Sequence, residues 1–234
     1  MLKISTFNIQ NDIKNYSIDK TNIIIKYLKD YNIDILNLQE VYSKLNFDLN
    51  VLLEKMDYYS YGKYRFFLKR IFNRINEKTP VITNREVIFN KTYNLPFFPS
   101  TLKRVLTKVE ILYKGRRISI YNTHLDYKSI ISRKRQLKRI FKIIKKDTNP
   151  IILTGDFNLK TNRTIFIDFM KKLEKLNIYH VDIAGKTFKP SQYRRGIDHI
   201  FLSKDFKVLD KKIIHDIPIS DHYPVLISVE FVGI

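Results

Sequence analysis

The stretch that decides the fold is Ile151–Leu159, which reads IILTGDFNL. Four apolar or β-branched residues run into a glycine, an aspartate and an asparagine, a pattern typical of a strand buried on both faces. A buried strand seldom ends in a carboxylate unless the charge has a partner, because burying an unpaired charge is costly. We therefore predict that Asp156 and Asn158 belong to a functional site, the alternative being an Asx turn or a helix cap.

Strand and helix patterns alternate on both sides of this stretch. Residues 2–9 and 33–41 read as strands, and the segment between them reads as a helix with Ser17 as its N-cap. Residues 104–126 give two alternating strands around Lys114-Gly115, the strongest hairpin signal in the chain.

The rest of the chain continues the alternation. Helices are predicted over residues 45–56, 129–146 and 163–176, several short strands over 58–93, and further strands over 196–203, 206–214 and 223–231. No linker or composition break divides the 234 residues. We predict one α/β domain over residues 1–234, with two mixed sheets packed face to face and helices outside.

Composition restricts the chemistry. Forty-three Lys and Arg against 23 Asp and Glu give a net charge of +20, which favours an anionic partner, although solvated lysine-rich faces are an alternative explanation. There are no cysteines, so any metal must bind oxygen or imidazole ligands. The N-terminus lacks the features of a signal peptide, so we expect a cytoplasmic protein unless an export signal was removed.

Polar residues cluster at the predicted strand ends. They are Asn8, Gln39, Glu40, His124, Asp126, Asp156, Asn158, Asp198, His199, Asp221 and His222. Ligands of α/β sheets bind in the crevice beyond the strand ends, so these side chains are expected to converge there. Their types suit metal-assisted attack of water on phosphorus, in which a carboxylate or imidazole deprotonates the water.

Six short motifs carry a family resemblance. They are TFN (6–8), LQE (38–40), NTHLD (122–126), GDFN (155–158), IDHIFLS (197–203) and SDHYPV (220–225). In this order they resemble the endonuclease/exonuclease/phosphatase superfamily, which includes exonuclease III-like and pancreatic deoxyribonuclease-like nucleases. The resemblance implies a four-layered α/β sandwich and a Mg²⁺- or Mn²⁺-dependent phosphoesterase.

The resemblance also implies roles for individual residues. The metal ligands are Glu40, Asn8 and Asp221; the catalytic residues are Asp156, Asn158, His222, Asp198 and His124; and the substrate-binding residues are His124 and Asn158. Arg104, which lies outside these motifs, is also predicted to bind substrate. Asp198 is expected to orient His222. Whether Asp156 or His222 is the general base stays open, because pairing with Asp198 would favour an imidazolium.

Two further residues have competing interpretations. Asp126 either orients another site residue or caps the helix that begins near Ser129. His199 follows Asp198 along a strand and so points to the opposite face, which favours a structural role.

The expected substrate is a nucleic acid, acted on by a monomer. A phosphorylated small molecule and a lipid phosphodiester at a membrane surface are the alternatives, and Phe97 and Phe98 in NLPFFPS keep the lipid hypothesis open. An inactive basic nucleic-acid-binding module is the remaining possibility.

Overall fold

The computed structural model describes residues 1–10, 18–63, 77–97, 103–190 and 196–233. The helices are α1 (Ile18–Tyr31), α2 (Ser43–Glu54), α3 (Ile130–Ile144) and α4 (Thr164–Glu174). The strands are β1 (Leu2–Asn8), β2 (Ile35–Gln39), β3 (Val41–Tyr42), β4 (Tyr59–Tyr61), β5 (Glu77–Lys78), β6 (Val81–Thr83), β7 (Val87–Asn94), β8 (Val105–Tyr113), β9 (Arg116–His124), β10 (Ile151–Asp156), β11 (Ile178–His180), β12 (Asp198–Ser203), β13 (Phe206–Ile213) and β14 (Val225–Phe231).

The strands form two mixed six-stranded sheets and a small two-stranded one. The first sheet has the order β13-β14-β1-β2-β6-β4, and the second has β11-β12-β10-β9-β8-β7. In each sheet one central pair is parallel, β1 with β2 and β10 with β9, whereas the other neighbours are antiparallel. The predicted mixed sheets are therefore confirmed.

Alternation along the strands separates three hydrophobic layers. One cluster lies between the sheets and joins Ile4 of β1 to Ile120 of β9 and Ile152 of β10. A second packs α1 and α2 on the outside of the first sheet, and a third packs α3 and α4 on the outside of the second. Because each sheet is covered on both faces, nearly all residues of the central strands β1, β2 and β10 are buried. The predicted four-layered sandwich is confirmed.

Helix α3 illustrates how sequence periodicity positions a layer. Its Leu137, Ile140 and Ile144 are buried against the second sheet, whereas most of its cations are exposed. The Ser129 hydroxyl caps the helix by accepting the backbone N–H of Ser132. The predicted helix over 129–146 is thus correct to within two residues.

Two glycine positions depend on backbone conformation. Lys114 and Gly115 both have positive φ, of 50° and 72°, as the tight turn of the β8–β9 hairpin requires. Gly155 has a φ of 146°, and a Cβ there would lie 2.0 Å from the carbonyl oxygen of Thr123. Only glycine lets β10 approach β9 so closely, immediately before Asp156.

Some predicted elements differ from the structure, and others lie outside the residues that it describes. The helix predicted over 45–56 begins two residues earlier, at Ser43, and the short strand β11 was not predicted. Ser17, Phe98 and residues 64–76 of the predicted short-strand region lie outside the described residues. Within the described ranges, none of the helices has the length and apolar character needed to span a membrane.

Candidate active site

The surfaces that face each other between the two sheets change from apolar to polar toward one end. Isoleucines fill the middle of this layer, and threonine, asparagine, histidine and aspartate follow along the same faces. The polar members are Thr6 and Asn8 in β1, Gln39 in β2, Asn122 and His124 in β9, Thr154 and Asp156 in β10, and Asp198 in β12. Since side chains on one face of a strand recur every second residue, the polar ends of five strands meet at one edge.

Strand register brings three of the predicted site residues side by side. Asp156 pairs with His124 across the parallel β9 and with Asp198 across the antiparallel β12. The His124 Nε2 atom lies 3.5 Å from Asp156 Oδ2. All three side chains are at most 3% exposed, so their charges interact through a medium of low polarity.

The first sheet contributes Asn8 and Glu40 to the same cluster. Asn8 Nδ2 donates to Asp156 Oδ2 at 3.0 Å and lies 3.4 Å from Glu40 Oε1. Glu40 has a φ of 60° and a side chain that is 26% exposed, so it lies at the mouth of the site. Its Oε1 atom is 3.9 Å from His124 Nε2. Both sheets therefore supply residues to one crevice.

His222 forms a buried pair with Asp198. Its Nδ1 lies 2.9 Å from Asp198 Oδ2, and its Nε2 lies 3.7 Å from Asp156 Oδ2 and 4.0 Å from Asp221 Oδ1. Burial by itself lowers the pKa of His222, but the charge and hydrogen bond of Asp198 outweigh it and raise the pKa to about 10. Phe188 packs against the imidazole with the ring centres 4.9 Å apart. The imidazolium form is therefore favoured.

Burial acts on Asp156 in the opposite sense. Desolvation, followed by the charge of Asp198, raises the pKa of Asp156 to about 7, although His222 and the hydrogen bond from Asn8 oppose the shift. Its Oδ1 accepts the backbone N–H of Asn158 at 2.8 Å. Asn158 has a φ of 50° and donates its side-chain amide to the Leu125 carbonyl. The Asx-turn contact therefore coexists with the cluster rather than replacing it.

Two other predicted site residues, Asp221 and Arg104, lie at the margins of the cluster around Asp156. Asp221 is 28% exposed and lies on the His222 side of the cluster. Arg104 is only 3% exposed, and its Nη1 lies 2.7 Å from His124 Nδ1 and 3.4 Å from Glu77 Oε1. The sequence predicts that Arg104 binds substrate, but the structure places its guanidinium beneath His124. A direct contact of Arg104 with substrate stays a prediction.

Sequence reasoning missed Glu77 and Phe188. Glu77 lies in a two-residue strand, too short for any alternation to be visible. Phe188 is joined to His222 by a single β-bridge. In neither case does the local sequence signal the contact, because each depends on pairing between distant segments.

The donors of this crevice suit a hard divalent cation. Asp156, Asp198 and His222 place ligand atoms within 4.8 Å of one another, and the Glu40 carboxylate and Asn8 amide lie on the other side of Asp156. Several carboxylates share a small buried volume, which raises the free energy of their charged forms, and a bound cation would offset this cost. Oxygen donors without cysteine fit Mg²⁺ or Mn²⁺ rather than a thiolate metal.

His199 and Asp126 are accounted for by structural contacts. His199 points away from the site, with Nε2 2.7 Å from the Leu159 carbonyl and Nδ1 3.0 Å from His180 Nε2. Asp126 accepts the backbone N–H groups of Lys128 and Ser129 at the entry of α3, whose N-cap is Ser129 itself. Asp126 therefore shapes the chain between the site and the helix.

Buried His199 makes the stability of the fold depend on pH. Burial lowers the pKa of His199 from its ordinary value of 6.5 to about 3. As the pH falls below about 6.5, the unfolded chain gains a proton at this position that the folded chain does not bind until about 3. Stability is thus lost across this window, and His199→Asn should reduce that loss. Urea midpoints at about pH 7 and about pH 4.5 measure it, with exposed His215→Asn as control. An unchanged pH dependence in His199→Asn would contradict this account.

Comparison with known proteins agrees with this architecture. The family model described as "Endonuclease/Exonuclease/phosphatase family" matches residues 5–222. A Bacteroides vulgatus endonuclease/exonuclease/phosphatase is 23% identical with a TM-score of 0.81, and the match covers 98% of each chain. A Bacteroides thetaiotaomicron mannosyl-6-phosphatase is 19% identical with a TM-score of 0.81, covering 99% of this chain and 100% of that one.

A third solved structure is D. rerio TDP2 complexed with a single-strand DNA product. It is 17% identical with a TM-score of 0.78, and the match covers 98% of each chain. A search of curated proteins gives no match. The structural likenesses show the fold, and the family model spans most of the chain. The chain therefore belongs to the endonuclease/exonuclease/phosphatase family, whose members are hydrolytic phosphoesterases that generally depend on a divalent metal ion.

Proposed function

We propose that this protein is a metal-dependent phosphodiesterase that hydrolyses nucleic acid. The observation that carries the phosphodiester chemistry is the convergence of Asp156, His124, Asp198 and His222 in one buried crevice. Such a buried cluster, in which the pKa values of Asp156 and His222 are both raised, is typical of catalytic sites. It combines a carboxylate that can accept a proton with imidazoles that can bind anionic oxygens.

Glu40 and Asn8, whose side chains lie 3.4 Å apart at the mouth of the crevice, would hold the cation. His222 is a poor ligand because its Nδ1 is engaged with Asp198 and its imidazolium form has no lone pair to donate. When bound, Mg²⁺ or Mn²⁺ would neutralise negative charge on the phosphoryl group. Asp221 Oδ1 lies 4.0 Å from His222 Nε2 and adds negative charge there, and its role as a metal ligand stays a prediction.

Asp156 is the proposed general base. Its pKa, raised to about 7 by burial, suits a group that must accept a proton from water near neutral pH. Asn8 donates to one carboxylate oxygen and the Asn158 backbone to the other, which fixes the orientation of the carboxylate. The alternative base, His222, is disfavoured because it is already protonated near neutral pH.

His222 and His124 are the proposed phosphate ligands. The His222 imidazolium directs Nε2 toward the Asp156 side of the crevice, where it can donate to a non-bridging oxygen as negative charge develops there. His124 Nε2 faces the same region from the other side of Asp156. Asp198 keeps His222 protonated and oriented.

The net charge of +20 favours a polyanion as the substrate. A nucleic acid offers many phosphates to cations distributed over the surface, whereas a small phosphate engages only those in the crevice. The likeness to TDP2 with a single-strand DNA product is compatible with this choice, but at 17% identity it concerns the fold.

A second candidate function is hydrolysis of a lipid phosphodiester. Four large apolar side chains are exposed near the site: Phe97 (43%), Tyr127 (54%), Ile130 (43%) and Ile131 (54%). Gln136 hydrogen-bonds both the Pro96 carbonyl and the Asp126 backbone N–H, so the segments that carry Phe97 and Tyr127 are adjacent. Exposed apolar groups beside lysines are suited to a membrane interface.

We expect the purified protein to cleave single-stranded DNA, abasic duplex DNA or RNA with Mg²⁺ or Mn²⁺, and to stop when the metal is chelated. Cleavage should decline steeply with added salt, because contacts with phosphates release counterions. Sphingomyelin vesicles, inositol phosphates and sugar phosphates, assayed in parallel, measure the alternatives. Turnover of any of these while every nucleic acid survives would refute the substrate assignment and leave the site chemistry intact.

Glu40→Gln tests the metal assignment in the same assay. It should raise the metal concentration required for activity, whereas Glu54→Gln, in an exposed position at the end of α2, should behave as wild type. Inactivity of the wild type toward the whole panel would instead favour a basic binding module.

A further inference from the structure

Arg104 lies beneath the active site in an environment that is unusual for a guanidinium. It is 3% exposed, and the nearby Glu77 and His124 side chains are 2% and 3% exposed. Its Nη1 atom lies 2.7 Å from His124 Nδ1 and 3.4 Å from Glu77 Oε1. Glu77 Oε1 also lies 3.5 Å from His124 Nδ1. Arg104 and Glu77 thus both lie on the Nδ1 side of the His124 ring, whose Nε2 faces the crevice.

The hydrogen bond from Arg104 determines which ring nitrogen of His124 carries the proton. A guanidinium only donates hydrogen bonds, so an imidazole nitrogen that it approaches at 2.7 Å must accept. His124 Nδ1 therefore carries no proton, and the ring proton is on Nε2. Glu77 alone would have the reverse effect, because a carboxylate accepts from a protonated Nδ1.

The remaining nitrogen faces the reacting groups. His124 Nε2 lies 3.5 Å from Asp156 Oδ2 and 3.9 Å from Glu40 Oε1. An Nε2–H directed there can donate a hydrogen bond to an oxygen that enters the crevice. The opposite tautomer would present a lone pair to two carboxylates and would repel a phosphoryl oxygen.

The guanidinium of Arg104 contacts the imidazole more closely than it contacts the carboxylate. Burying a guanidinium and a carboxylate costs several kcal/mol per ion, and their mutual contact offsets this cost only in favourable geometry. The 3.4 Å separation of Arg104 Nη1 from Glu77 is long for a strong ion pair, whereas the contact with His124 is short. The shortest contact of the guanidinium is thus with the imidazole.

We propose that Arg104 is a positioning residue that holds His124 as the neutral Nε2–H tautomer, so that His124 serves the site only as a hydrogen-bond donor. Glu77 holds Arg104 in place and balances its charge. The donor role toward phosphate rests on the proposed function. The tautomer itself is a property of the folded chain and can be measured without any substrate.

The tautomer can be read from long-range ¹H–¹⁵N spectra of the protein labelled at histidine nitrogens. The His124→Gln spectrum identifies which signals belong to His124. In the wild type at neutral pH we expect one protonated nitrogen, Nε2, and one unprotonated nitrogen, Nδ1. A protonated Nδ1 in the wild type would overturn the proposal without recourse to any further variant.

Arg104→Met removes the donors and keeps an unbranched side chain that is two heavy atoms shorter. We expect His124 Nδ1 to gain a proton and donate to Glu77, so that its ¹⁵N signal moves to the position of a protonated nitrogen. Arg104→Lys keeps a cationic donor group, the ammonium, and should retain the wild-type pattern in part. If Arg104→Met does not fold, Glu77→Gln provides a second test: it should leave Nδ1 unprotonated, because the arginine still donates to it.

Kinetics separate positioning from a general structural role. Arg104→Met should lower kcat about 10- to 100-fold with a smaller change in KM, as is usual when a group that contacts substrate is misplaced. Arg117→Met is the matched control, since it removes the same charge from the exposed opposite end of β9. Equal losses in both variants, or a wild-type ¹⁵N pattern in Arg104→Met, would refute the assignment. A missing activity with the expected ¹⁵N pattern would refute the proposed function alone.

Discussion

Asp156→Asn is expected to lower kcat by about three decades while the protein stays folded and binds its substrate. The substitution keeps the shape of the side chain but removes the proton acceptor, and loss of a general base costs about 10²- to 10⁴-fold. Stability should not fall. Because the pKa of Asp156 is raised in the folded state, its carboxylate is destabilising above about pH 4 and increasingly so up to about 7. The melting temperature of Asp156→Asn, measured at neutral pH with a metal chelator present, should therefore equal or exceed that of the wild type.

The matched control for this variant is Asp147→Asn. Asp147 precedes the same strand, β10, and is also little exposed, but it binds Lys108 and Tyr121 on the outer face of the second sheet. Burial opposes ionisation of Asp147, but hydrogen bonds from Lys108 and Tyr121 dominate and lower its pKa. Asp147→Asn should therefore lower the free energy of unfolding, whereas its kcat should stay near the wild-type value. Full activity in a folded Asp156→Asn protein would remove Asp156 from its proposed role.

Much of the fold follows from local patterns that are visible in the sequence. The IILTGD run is apolar because β10 has helices on one side and a sheet on the other, and this condition can be inferred from the run itself. The β8–β9 hairpin follows from alternation around Lys114-Gly115. Short elements such as β5 and β11 were missed because two or three residues cannot display a period.

Convergence of the site residues depended on register, which sequence patterns alone do not specify. Asp156 meets Asp198 only because β12 returns antiparallel to β10 in the observed register. A shift by one residue would bring His199 to the crevice and turn Asp198 away. The position of Arg104 was not foreseen for the same reason: its burial depends on β5 and β9, which are distant from it in the chain.

The second large effect concerns His222, whose charge is set by its neighbours. Three carboxylates surround the imidazole: Asp198 at Nδ1, and Asp156 and Asp221 near Nε2. Burial opposes protonation of His222, but the attraction of Asp198 exceeds that effect and raises the pKa to about 10. Under the proposed function, a group with this pKa can act as a cationic donor to phosphate at neutral pH and would lose its proton only in strongly alkaline solution.

His222→Ala is expected to lower kcat by about two to four decades, the range for removal of a charge-stabilising donor. The matched control is His215→Ala, an exposed histidine that packs on the neighbouring Tyr223 and should keep near-normal turnover. The charge itself is tested by Asp198→Asn, which retains a hydrogen-bond acceptor but lowers the pKa of His222. Since the imidazolium is the active form, activity should fall at a lower pH than in the wild type as the pH rises. If Asp198→Asn lost activity at the same alkaline pH as the wild type, His222 would not act as a cation. Normal kcat in His222→Ala would lead to the same conclusion.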